Sequence, residues 1–224
     1  MKNVINYYDA LAIDYDQKRF ANSYGRYVDT LERNILTDWF SGLDKHNRVD
    51  FGCGTGRLLD FAMIGVDGSA LMLQEAKKKF PDRQLIQAGL SNIPLADNSA
   101  SAAFCFHVLM HLDSDTLQSF LNDAARIISF GGRLIIDIPS EPRRSIGRRV
   151  RLGWHGNTSA NLQTIQKWTQ ANWRIKRWQG ILFFPIHRIP PCLRSFFMRF
   201  DALLGKTWLA RYSSYYVIEL VRII

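Results

Sequence analysis

Apolar residues in the stretch 23–40 recur at alternating spacings of three and four, through Tyr24, Val28, Leu31, Ile35 and Trp39. That period predicts an amphipathic helix. From about residue 47 the pattern changes to short strand-like runs, NRVDF, MIGV, QLIQ, AAFCF and RLIIDI, separated by helical stretches. Residues 69–80 have helical spacing and are stopped by Pro81; residues 114–129 do too, with Gly131 and Gly132 as the stop signal. Strands alternating with helices predict an α/β fold, a parallel sheet covered on both faces. Past Pro139 the text turns irregular and basic. Thr158 or Ser159 is predicted to cap a helix running to about Asn172. Two further strand-like segments, WRIKRWQGILFF and SSYYVIELVRI, are expected to complete the same sheet.

Length and composition narrow this picture. A chain of 224 residues fits one domain. With 47% apolar and 22% charged residues it is neither disordered, collagen-like nor a coiled coil. The expected organisation is a single unit: a helical cap over 1–45, a ligand-binding core over 46–139, and a substrate-side segment with the last two strands over 140–224. Cys53, Cys105 and Cys192 are odd in number and far apart. They suggest neither a disulfide framework nor a zinc site, so no metal is expected and a reducing cytoplasm is the expected compartment. No signal-like start or span of roughly 18 apolar residues is present, so neither secretion nor membrane spanning is expected.

Charge adds one asymmetry. The net charge is +9, yet residues 1–130 sum to −3 and residues 131–224 to +12. The basic portion also holds five of the six tryptophans, Trp154, Trp168, Trp173, Trp178 and Trp208. A partner of opposite charge is expected there.

The sharpest motif is VDFGCGTGRLL at residues 49–59, between a predicted strand and a short helix. Gly52, Gly54 and Gly56 permit a tight turn and close backbone approach to a ligand. A dinucleotide fingerprint would need glycine where Arg57 stands, and no Gly-Lys-Ser/Thr follows for a phosphate loop. The next strand ends in GVDGS, where the Asp67 carboxylate can accept both hydroxyls of a ribose. With Asp50 ahead of the glycines, these elements describe a ligand carrying adenosine without pyrophosphate.

In these residues the sequence resembles the class I S-adenosylmethionine-dependent methyltransferases, especially the ubiquinone and menaquinone biosynthesis group. The matching blocks are YYDALAIDYD, VDFGCGTG, GVDGSALML, NIPLADNSASAAFCFHVLMHL and IISFGGRLIIDIP, in the family's order over roughly residues 7–139. The resemblance implies a Rossmann-like, mostly parallel seven-stranded sheet with helices on both faces and the last strand antiparallel. N-terminal helices and a basic aromatic C-terminal insertion would be added to it. It implies S-adenosylmethionine as cofactor, with S-adenosylhomocysteine as product. The loop from Gly52 through Cys53 and Gly54 to Gly56 would contact the methionine part, with Asp50 near its amino group. Asp67 would bind the ribose, and Gly68 and Met72 would lie beside the adenine. His107 would face the methionine portion, while Tyr15 and Arg19 would close over the cofactor.

The sequence departs from the family in two places. Gly89 stands where an acid commonly receives the adenine amino group, leaving backbone groups near Gly89 and Leu90 to do so. Only ten residues separate Gly56 from Asp67, which implies a trimmed first helix.

Methyl transfer from a sulfonium needs alignment, exclusion of water and, for a hydroxyl acceptor, removal of a proton. The resemblance places His111, in HVLMHL, facing the acceptor as first choice of base; His107 and Tyr15 are reserves. The alternatives are structural: His111 capping backbone groups, and Tyr7, Tyr8 and Tyr15 as the buried edge of a helix. Cys53 reads as a small residue in a crowded turn, Cys105 as core, and Pro191-Cys192 as no nucleophile.

The segment 187–212 places Phe196, Phe197, Phe200, Leu203, Leu204, Trp208 and Leu209 on a helical stripe with Arg194, Arg199, Lys206 and Arg211 around it. It is expected to be either a substrate lid with solvated arginines or a helix lying on an anionic membrane, which would make the protein peripheral at the inner membrane surface. The leading expectation is a small-molecule methyltransferase, O-directed, acting on a lipophilic or anionic acceptor such as a quinone precursor, a glycolipid or a saccharide intermediate. An RNA-directed methyltransferase is the second reading, motivated by the +12 segment, although FHVLMH lacks the Asn/Asp-Pro-Pro-aromatic element of exocyclic-amine methylases. A non-catalytic cofactor-binding or membrane-surface module is the third.

Overall fold

The computed structural model describes residues 2–146 and 158–223. The expectation for the basic stretch around Trp154 falls outside these residues. Three helices open the chain: α1 (Lys2–Leu11), α2 (Tyr15–Arg19) and α3 (Ser23–Trp39). Then follow β1 (Arg48–Phe51), β2 (Ile64–Asp67), α4 (Ala70–Lys79), β3 (Gln84–Gln87), β4 (Ala100–Cys105), α5 (Ser114–Ile127) and β5 (Ile128–Pro139). The rest comprises α6 (Glu141–Ile146), α7 (Leu162–Thr169), β6 (Trp173–Ile181), α8 (Pro191–Leu204) and β7 (Tyr215–Arg222).

The seven strands form one sheet in the order β3-β2-β1-β4-β5-β7-β6. Pairing is parallel from β3 through β5, and β7 inserts antiparallel between β5 and β6. This is the expected Rossmann-like arrangement with its last strand reversed. The order doubles back between β1 and β4, which opens a crevice beyond their carboxyl ends, where open α/β sheets receive ligands.

Two apolar layers hold the sheet. On one face Phe51 meets Phe120 of α5 edge to face, with ring centroids 5.5 Å apart, within a core that includes Val49, Leu121 and Leu134. On the other face α3 buries Val28, Leu31, Ile35, Leu36 and Trp39 beside Phe104, Ile135 and Val217. Burial of each such side chain contributes roughly 1.5–3 kcal/mol. Tyr24, expected on the inner stripe, is 38% exposed; its place is taken by Tyr27, whose hydroxyl donates to Asp201 at 2.9 Å.

Three boundaries differ from expectation. The segment after the glycine loop is a single 3₁₀ turn, Leu59–Phe61, so the helix there is trimmed to its minimum. Gly131 and Gly132 do not stop α5. The helix ends at Ile127, β5 starts at once, and the glycine pair lies where the β4–β5 register shifts between Ala100 and Ala102, as bulge residues do. Finally, α7 is capped by Asn161, which accepts from the Thr164 amide, in place of Thr158 or Ser159, and it ends at Thr169.

Candidate active site

A cavity of about 1080 Å³, counted out to its open mouth, lies beyond the carboxyl ends of β1, β2 and β4. Its floor is the turn after β1. The amides of Gly52 and Cys53 both donate to the Val66 carbonyl, at 2.7 and 3.0 Å, and this ties the turn to β2. Gly52 has φ +76° and passes so close to Val108 that a Cβ would sit 2.3 Å from its Cγ2. Gly54 has φ +53°, lines the cavity and would have no atom within 4 Å of an added Cβ.

Two aspartates flank this turn. Asp67, at the end of β2, accepts from the Gly54 amide on one carboxylate oxygen and from the Ser69 amide on the other, each at 2.8 Å. Burial raises its pKa, and these amides oppose the rise. The carboxylate is thereby fixed at the cavity wall with lone pairs left for a ligand. Asp50 is buried in β1 at the same wall. Burial pushes its pKa up to about 8, with Arg57 working against the shift and Asp67 adding to it.

Running from the wall into the interior is a charged network that the sequence did not announce. His107 has φ +61° and lies between two buried carboxylates, with Nε2 2.6 Å from Glu32 and Nδ1 3.4 Å from Asp137, while its amide donates to Asp137 at 2.7 Å. Arg57 reaches Glu32 at 2.6 Å and Asp29 at 2.7 Å, and its guanidinium stacks 4.3 Å above the Phe20 ring. Burial of Glu32 is outweighed by His107 and Arg57, which hold its pKa at about 2. For Asp137 burial wins over the same neighbours and raises the pKa to about 6. Burial would lower the His107 pKa, but Glu32 and Asp137 raise it. With both ring nitrogens occupied by carboxylates, His107 is suited to hold a fixed charge and poorly suited to accept a proton.

The roof comes from the N-terminus. Val4, Ile5 and Tyr8 of α1, Tyr15 of α2 and Phe20 line the cavity. Tyr8 lies with its hydroxyl 3.1 Å from His111 Nε2, and its ring packs edge-on against Tyr15. Asp16 accepts from the Thr55 hydroxyl at 2.6 Å, which ties α2 to the glycine turn.

Of the residues expected at the site, Tyr15, Asp50, Gly52, Cys53, Gly54, Asp67, Gly68, Met72, Gly89, Leu90, His107 and His111 all meet in this one cavity. Gly56 and Arg19 are not in its wall. Gly56 packs behind the turn, where a Cβ would come within 2.9 Å of Leu59, and Arg19 is exposed and donates to the Tyr7 hydroxyl. Of the segment 185–212, for which a substrate lid was one of two expectations, no residue lines this cavity, which is covered by α1 and α2. Sequence reasoning missed Tyr8, Glu32 and Asp137 as neighbours of the site. Glu32 left a trace, a carboxylate inside the apolar stripe between Val28 and Leu36.

Residues 49–136 match the methyltransferase domain family. The chain is 35% identical over 112 residues to a demethylmenaquinone methyltransferase of Tropheryma whipplei, covering 46% of each chain. It is 26% identical over 149 residues to a ubiquinone/menaquinone biosynthesis C-methyltransferase UbiE of Campylobacter jejuni, covering 60% of this chain and 63% of that one. The chain thus spans between about half and under two thirds of the length of these relatives. Among solved structures, magnesium protoporphyrin IX methyltransferase of Synechocystis, with bound S-adenosylhomocysteine, superposes over 99% of both chains with a TM-score of 0.68 at 16% identity. Residues 49–136 thus carry a methyltransferase domain, and the chain as a whole has the fold of S-adenosylmethionine-dependent methyltransferases.

Proposed function

We propose that the protein transfers a methyl group from S-adenosylmethionine to a small, lipophilic acceptor carrying an ionisable hydroxyl. The observation that carries this reading is the pairing of Asp67, held by the Gly54 and Ser69 amides, with a glycine turn that presents Gly54 to the open cavity. Such a pairing suits a ribose diol on the carboxylate and an aminoacyl tail over the turn. Asp50 would take the tail's ammonium group and His107 would lie along the tail. Gly68 and Met72 would flank the adenine, with backbone near Gly89 and Leu90 at its edge, and Tyr15 would cover it. Arg19 acts through Tyr7, outside the cavity wall. When bound, the donor supplies an electrophilic methyl on a sulfonium, which leaves as a neutral thioether.

The chain's own part is alignment and proton transfer. His111 accepts the acceptor's hydroxyl proton while the freed oxygen forms the new bond to carbon. Tyr8, within hydrogen-bond distance of Nε2, orients that imidazole. Apolar side chains from α1, with Val108 and Leu112, exclude water around it. Oxygen is the expected nucleophile. A second reading, attack by a ring carbon of the deprotonated acceptor, is favoured by similarity to a relative named as a C-methyltransferase; His111 would serve either. The apolar mouth favours a quinone precursor over a glycolipid or saccharide.

Calorimetric titration with S-adenosylmethionine tests the cofactor assignment. Measurable heat is expected from the parent and a loss of at least about tenfold in affinity from Asp67→Ala. Equal affinity in parent and variant would remove Asp67 from the site. Radiolabelled methyl transfer into lipid extract, followed by analysis for O-methyl or C-methyl product, tests the acceptor.

A further inference from the structure

The helix α8 packs onto the molecule by one side only. Phe197 packs edge to face against Phe184 with centroids 5.0 Å apart, and Asp201 is buried, accepting from Tyr27 and from the Phe183 amide. Arg194 donates to Ser23 at 2.6 Å, and the Gly180 amide donates to the Gly205 carbonyl at 2.8 Å. The opposite flank carries Leu193, Phe196, Phe200 and Leu203, continued by Trp208 in the following 3₁₀ turn, each between 44% and 67% exposed. Residues 193, 196, 200 and 203 share one helical face.

The charge around this face has one sign. Arg188, Arg199, Lys206 and Arg211 are exposed, and none of them has a carboxylate within ion-pair distance among the described residues. Asp201, the single acid of residues 185–212, is turned inward. Arg211 lies over the Trp208 and Tyr212 rings, at 5.1 and 5.5 Å, so a cation stands beside the most exposed aromatic of this face. Against a second copy of the chain, a two-fold contact would set these cations against their own images. Against nucleic acid, the centre of the patch is aliphatic and phenyl surface with the cations at its edge, whereas a strand-binding groove follows the phosphates with its charge.

We propose that α8 and the turn through Tyr212 form a docking face for an anionic lipid bilayer, the apolar side chains entering the acyl boundary and the arginines and lysine pairing with headgroup phosphates. The face stands apart from the cavity, so it holds whether or not the methyl-transfer reading does. Arg194 nonetheless joins the first turn of α8 to Ser23, three residues from Phe20 in the cavity wall, which puts the docked helix beside the segment that covers the site. No helix among the described residues is long and apolar enough to cross a membrane, so attachment through α8 would be to one surface.

The test is co-sedimentation of the full chain with vesicles of phosphatidylcholine alone and of equal parts phosphatidylcholine and phosphatidylglycerol, with the Trp208 emission read in parallel as the difference between the parent and Trp208→Phe. Binding to the mixed vesicles, with a blue shift of emission and at least about tenfold weaker binding to neutral vesicles, is expected. The double variants F196S/F200S and R199E/K206E, at exposed positions, should each lose at least about tenfold while retaining the parent's circular dichroism and donor titration. Four outcomes overturn the proposal: no difference between vesicle types, unchanged binding by F196S/F200S, a dimer at working concentration that this variant abolishes, or tighter binding to single-stranded RNA than to mixed vesicles. Absence of donor heat with vesicle binding intact would strike the methyl-transfer reading alone.

Discussion

Tyr8 and His111, 103 residues apart in the chain, meet across the cavity with the phenol oxygen 3.1 Å from the imidazole Nε2. The contact joins the roof helix α1 to the loop after β4, so the group proposed to take the acceptor's proton is held by the element that closes the site. Burial raises the Tyr8 pKa well above that of a free phenol, which keeps the hydroxyl neutral and able to accept from an Nε2–H, the tautomer that leaves Nδ1 as the basic nitrogen. His111→Ala should lower methyl transfer by about 10²–10⁴. Tyr8→Phe should lower it less and cost about 1 kcal/mol of stability. Turnover and thermal unfolding of the two variants check this; equal activity of His111→Ala and parent would dismiss His111 as base.

A second prediction concerns Asp50. Its folded pKa, raised to about 8, exceeds the roughly 3.9 of an unfolded aspartate, so its protonated form is favoured in the folded chain. Stability from this group is full at low pH and is lost as pH rises toward 8. Asp50→Asn should therefore match the parent's melting temperature near pH 4 and exceed it increasingly up to pH 8. A donor whose ammonium sits beside Asp50 favours the ionised form, so its binding should release a proton below pH 8 and tighten as pH rises. Titration in buffers of different ionisation enthalpy reads the proton directly. A pH-independent affinity, shared by parent and Asp50→Asn, would place the ammonium elsewhere.

The carboxylate network gives a third. Glu32 is completely buried between His107 and Arg57, and Glu32→Gln leaves both cations facing a neutral amide. Breaking a buried pair in this way costs about 3–5 kcal/mol. The lowered pKa of Glu32 means that its contribution is present above the unfolded glutamate value and is lost as pH falls toward 2. Denaturant unfolding at neutral and acid pH should show the gap between parent and Glu32→Gln narrowing as the pH drops.

What the sequence made legible follows how far apart the cooperating residues lie. The glycine turn and Asp67 fall within sixteen residues, and strand–turn–helix punctuation fixes their relative placement, so the cavity floor could be read directly. A parallel sheet covered on both faces followed from the alternation of strands and helices, and its reversed last strand from the family resemblance. His107 and Glu32 are 75 positions apart, and Tyr8 and His111 farther still, so no local pattern links them. Gly131 and Gly132 misled for a different reason: a glycine pair after a helix and a glycine pair inside a bulged strand have the same sequence, and only pairing with β4 decides between them. For the segment 185–212 the apolar stripe was legible, but which flank it buries depends on α3 and β6, which sequence period does not reveal.

The two front glycines of the turn separate stability from binding. Gly52→Ala adds a Cβ 2.3 Å from the Val108 side chain at a residue with φ +76°, so it must both strain the backbone and displace the loop that carries His107. Left-handed backbone alone costs a residue with a side chain roughly 1–2 kcal/mol, and the clash adds to that. Gly54→Ala carries the backbone cost at φ +53° but meets no protein atom within 4 Å, because its Cβ enters the cavity. Gly52→Ala should consequently lower the melting temperature by more, whereas Gly54→Ala should stay closer to the parent in stability and lose donor affinity by at least about tenfold through occupation of the ligand's space. If Gly54→Ala retains the parent's affinity, the donor's tail does not cross this turn, whatever Asp67 holds.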